Sequence, residues 1–76
     1  MGMMVTARKI AEDAQEVRYE FGFDRQFDRV LVIDKATWHP NPEDGRFDAA
    51  TGAIAGKLKR LWRETGEFPE GALFAS

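Results

Sequence analysis

Val17, Tyr19, Phe21 and Phe23 alternate without interruption with Arg18, Glu20, Gly22 and Asp24. Successive side chains of a strand point to opposite faces, so "VRYEFGFD" predicts a strand with one buried face. The polar link "DRQFD" that follows has the length of a hairpin connection. "RVLVIDKATW" is rich in β-branched residues and predicts a second strand. Its alternation is apolar twice over. Val30, Val32, Ala36 and Trp38 point one way, Leu31 and Ile33 the other. A strand apolar on both sides is covered on both sides, so protein is expected over Leu31 and Ile33.

The period changes after residue 48. Ala50, Ile54, Leu58, Leu61 and Trp62 recur at spacings of three and four, which predicts a helix from Asp48 to Thr65 with one apolar stripe. Asp48 is placed to cap its first turn, and Gly66 to close it as a left-handed residue. The tail "EFPEGALFAS" (67–76) carries Phe68, Leu73 and Phe74, enough to dock on the core. Residues 5–16 are open to two readings. Ala7, Ile10, Ala11 and Ala14 fit a helical stripe, whereas a strand over Val5–Ala11, turned by "EDAQ", gives the hairpin a third member. Either way the expected fold class is α+β: a small antiparallel meander of two or three strands with the carboxy-terminal helix packed on one face. The 76 residues make one domain, with 1–4 expected to be disordered.

Between strand and helix lies "WHPNPEDG", with the lone histidine and two of the three prolines. Proline cannot donate to a ladder, so Pro40 and Pro42 are expected to end the strand, and "EDG" to turn the chain. His39 beside Glu43 and Asp44 meets no metal-ligand spacing, and the calcium-loop pattern does not fit Asn41–Asp48. Asp34 ends an apolar strand, a position that suits a catalytic carboxylate as well as a simple ion pair. No nucleophile elbow, phosphate loop or dinucleotide fingerprint accompanies it.

Composition narrows the field further. Without cysteine there is neither a disulfide nor a thiolate zinc site. A chain this short buries a modest share of its surface, and of the usual reinforcements self-association is the one left open. Residues 1–45 carry six basic and nine acidic side chains, residues 46–76 five and four. A chain so balanced is not a general polyanion binder. No run reaches the length of a membrane helix or signal peptide, although Gly2 and Thr6 match a loose myristoylation pattern.

Three surfaces remain. Gly52 and Gly56 leave a side-chain-poor helix face for another backbone, either the chain's own sheet or a second copy. "KLKRLWR" sets Lys57, Lys59, Arg60 and Arg63 around an aromatic, in the manner of a phosphate or nucleic-acid contact. The triplet Phe-Asp-Arg occurs twice in "FDRQFDR" and leaves Phe27 in a polar connection, where an exposed aromatic favours a partner. The expected protein is a small cytoplasmic protein-binding domain, a homodimer or adaptor with no catalytic constellation, cofactor or metal. Leu31, Ile33, Phe27, Gly52 and Gly56 are its candidate interface. The alternative is a nucleic-acid or phosphate-binding module using Lys57, Lys59, Arg60 and Arg63.

Overall fold

Five strands and a helix follow one another along the chain: β1 (Met4–Glu12), β2 (Glu16–Phe23), β3 (Arg29–Asp34), β4 (Pro40–Pro42), α1 (Ala49–Thr65) and β5 (Gly71–Ala75). They come from a computed structural model that describes residues 2–76; Met1 lies outside the described residues. The fold is α+β, with one antiparallel sheet in the order β4-β3-β2-β1-β5. Strands β1 to β4 form a meander, and α1 carries the chain from the β4 edge back to the opposite one. No helix among the described residues is long and apolar enough to cross a membrane.

The sheet has five strands where two or three were expected. Residues 4–12 form a strand with an irregularity between Lys9 and Ala11. That extra residue disturbs the period of two, which is why the segment also reads as helical. The prolines do not end the sheet; they make its short fourth strand. The tail docks as a strand too. Met3 and Met4, expected to be disordered, are tied to it: Met4 pairs with Ala75, and Ser76 N–H donates to the Met3 carbonyl.

Val5, Ala7, Val17, Tyr19, Phe21, Leu31 and Ile33 share the face that α1 covers, and Ala50, Ile54, Ala55 and Leu58 meet them from the helix. Leu31 and Ile33 are fully buried. The cover that their strand requires is therefore the chain's own helix, and neither side chain lines a surface. Pairing fixes this phase: Tyr19 lies opposite Leu31 and Val17 opposite Ile33, so all four point to one side. Val30 and Val32 hold the other side, half-buried. Trp38 departs from their face. Its backbone is left-handed, with φ 59°, and its ring joins Trp62 and Phe68 at centroid distances of 6.0 and 5.8 Å.

The helix ends as its sequence predicts. The Asp48 carboxylate accepts from Thr51 N–H at 3.0 Å, and Gly66, at φ 79°, donates back to the Trp62 carbonyl. From β3, Arg29 anchors the cap. Its guanidinium donates to both oxygens of Asp48 and of Asp44 and to the Arg46 carbonyl, while lying 4.6 Å from the Phe21 ring centre.

Candidate interaction surface

The two edges of the sheet differ in what they offer another chain. In an antiparallel pair, alternate residues turn both backbone groups toward the neighbour and the others turn them away. On the β5 side, Lys9 N–H donates to the Glu70 carbonyl and Ser76 N–H to that of Met3. With Arg8 opposite Gly71 and Met4 opposite Ala75, that alternation turns Glu70, Ala72, Phe74 and Ser76 inward. The N–H and C=O groups of Gly71, Leu73 and Ala75 point outward along an edge that has no further strand. None of the five β5 residues is charged and none is proline.

The β4 edge is the reverse. Asp34 N–H donates to the His39 carbonyl and Glu43 N–H to that of Val30, which turns Asn41 inward. Its outward positions are Pro40 and Pro42, and proline has no N–H to give. One edge is blunted in the usual way, and the other is open.

Beside the open edge, Phe74 lines a shallow hollow of about 330 Å³ with Gly52, Ala53, Gly56, Lys57 and Arg60. A Cβ at Gly56 would meet nothing within 4 Å, and one at Gly52 only the Phe47 ring at 3.6 Å. The chain's own sheet therefore does not require these glycines, which cost up to ~1 kcal/mol each in a helix. Of the two readings of that face, the intramolecular one loses its steric reason.

The remaining sequence candidates fall elsewhere. Phe27 is half-buried, with the Arg8 guanidinium 4.2 Å from its ring centre. Its loop folds back on β2 so closely that a Cβ on Gly22 would come within 3.1 Å of the Phe27 nitrogen. Lys57, Lys59, Arg60 and Arg63 line α1. Arg60 comes within 3.7 Å of Glu64, and Lys59 lies 5.7 Å from the Trp38 ring centre. Asp34 accepts from the backbone N–H of Ala36 and Thr37, the task of a turn residue. The hollow that contains it is lined by Ala14, Gln15, Glu16, Lys35 and Ala36, without His39 or Glu43. Glu43 is taken by Arg18 at 2.7 Å.

A groove of about 390 Å³ lies where β1 meets the segment after α1, lined by Lys9, Glu12, Lys35, Trp62, Phe68 and Glu70 among others. Sequence reasoning did not point to it, because its charges come from three separate segments. Lys9 Nζ reaches Glu12 at 2.6 Å and Glu70 at 2.8 Å, and Lys35 Nζ reaches the other Glu12 oxygen at 2.8 Å. The bonds from Lys35 and Lys9 hold the Glu12 carboxyl below its ordinary range. Lys9, Glu12, Lys35 and Glu70 are thus spent on one another. The chain matches no protein-family model, no curated protein and no solved structure.

Proposed function

We propose that the protein is a small protein-binding domain that takes an extended segment of polypeptide along β5, by strand addition. The observation that carries this reading is the row of outward N–H and C=O groups at Gly71, Leu73 and Ala75, on an edge bearing neither charge nor proline. Main-chain bonds supply affinity in this mode, and flanking side chains select the partner. Leu73 is 44% exposed on one face of the edge, and half-buried Phe74 stands on the other.

A labelled octapeptide copying residues 69–76 provides the probe. Its fluorescence anisotropy is expected to rise when the protein is titrated in, and to stay flat with a Leu73→Pro variant. Proline there removes an outward N–H and leaves the β1 ladder intact, and circular dichroism checks that the variant folds. No binding to the native chain at a concentration where light scattering gives the single-chain mass, or equal binding to both, overturns the reading.

A second reading, phosphate or nucleic-acid binding, rests on α1. Of Lys57, Lys59, Arg60 and Arg63, only Arg60 has a carboxylate within 4 Å among the described residues. Titration with single- and double-stranded DNA and RNA at two salt concentrations tests it. Phosphate contacts weaken steeply with salt, so absence of binding at low salt removes this reading.

A further inference from the structure

Resting on the strand-addition reading, we infer that the segment added to β5 is the β5 of a second copy, paired antiparallel about a twofold axis through Leu73. The outward groups are symmetric about that residue. In the register that sets Leu73 against Leu73, each Gly71 lies opposite an Ala75. All three outward residues of each chain then become hydrogen-bonded pairs, so every outward donor meets an acceptor. No other centre within the strand satisfies all of them. In this register Glu70 falls opposite Ser76 rather than opposite its own counterpart, and Lys9 Nζ holds it at 2.8 Å within its own chain.

Five residues of strand cover too little surface for a stable dimer, which needs about 800 Å² per partner. The hollow beside the edge offers the second chain further surface. On the helix face Phe74 of each chain lies opposite Ala72 of the other, and Gly52, Ala53 and Gly56 leave room next to Phe74 for the second chain to approach α1. The glycines that have no role within one chain thereby acquire one between two. On the open face the Leu73 side chains meet and remove each other from water.

The register makes the test specific, because the natural chain has no cysteine. Hydrogen-bonded antiparallel partners have Cα atoms about 5.5 Å apart, within disulfide range. A Leu73→Cys chain is expected to give a covalent dimer under mild oxidation. An Ala75→Cys chain is expected not to, because its cysteines are roughly 13 Å apart along the strands. Light scattering of the native chain is expected to give twice the single-chain mass at high micromolar concentration, and the single-chain mass for Gly56→Arg. Both cysteine sites are exposed and retention of helix is checked by circular dichroism. A native chain of single mass, or equal cross-linking at both positions, overturns the inference. Octapeptide binding with single mass removes the self-partner alone, whereas failure of octapeptide binding and dimer together removes strand addition.

Discussion

Arg29 on β3 donates through one terminal nitrogen to both carboxylate oxygens of Asp48, at 3.0 and 3.1 Å, and so ties the central sheet to the first turn of the helix. The same carboxylate caps Thr51 N–H and accepts from the Thr51 hydroxyl at 2.9 Å. Asp48→Ala removes the cap and strips a largely buried guanidinium of one of its two acidic partners. The expected loss is about 1–3 kcal/mol in urea unfolding. Asp48→Asn, which still accepts from Thr51, is expected to lose less. Equal losses would assign the whole effect to the charge lost beside Arg29 and none to the cap.

Stability is expected to fall at both ends of the pH scale. The Thr51 backbone N–H and then Arg29 hold the Asp48 carboxyl well below its ordinary 3.8, and Arg29 holds Asp44 down as well. Groups with depressed values stabilise the fold above the ordinary carboxylate range, and that contribution disappears as pH drops through 3.8 and below. At the alkaline end, burial raises the Tyr19 phenol well above 10.0, while its hydroxyl donates to the Pro69 carbonyl at 2.6 Å. Its contribution is complete below pH 10 and lost above it. Urea midpoints measured across pH should trace both limbs, with Asp48→Asn flattening the acid one and Tyr19→Phe the alkaline one.

Gly56 and Gly66 call for opposite outcomes on the same substitution. A methyl group at Gly56 enters open space in a helix interior, so Gly56→Ala is expected to stabilise a single chain by up to about 1 kcal/mol. Gly66 has φ 79°, and Gly66→Ala is expected to destabilise by about 1 kcal/mol. Thermal unfolding at low concentration checks both, and a shift of the same sign in each would contradict this account.

Much of this architecture was legible in the residues, and the exceptions have physical causes. The strand β2 and the helix with both its caps follow from period and end chemistry alone. The phase of β3 does not, because Val30 and Val32 are as apolar as Leu31 and Ile33, and only pairing with Tyr19 and Val17 decides which pair lies under α1. Trp38 escapes its expected face through a left-handed backbone that no period reports. Strand β4 hides behind its prolines, and β5 is too short to show alternation. The open edge was invisible for the same reason: an unpaired strand is a property of topology. Gly52 and Gly56 were legible as anomalies, but their surroundings were not.

Thr6 lies 5% exposed between β2 and β5, and its hydroxyl has no hydrogen-bond partner. A buried unpaired hydroxyl costs about 1–3 kcal/mol. Thr6→Val keeps the branched shape and removes the oxygen. The unfolding free energy is expected to rise by about 1 kcal/mol, and a fall would mean that the hydroxyl has a partner in solution.

Pro40 and Pro42 bear on behaviour at high concentration. With donors available along β5 and missing along β4, the sheet has one adhesive margin and one inert margin. Under the proposed pairing of β5 with a second β5, growth from it terminates after a single step, and crowding the solution should enrich a closed pair without seeding fibres.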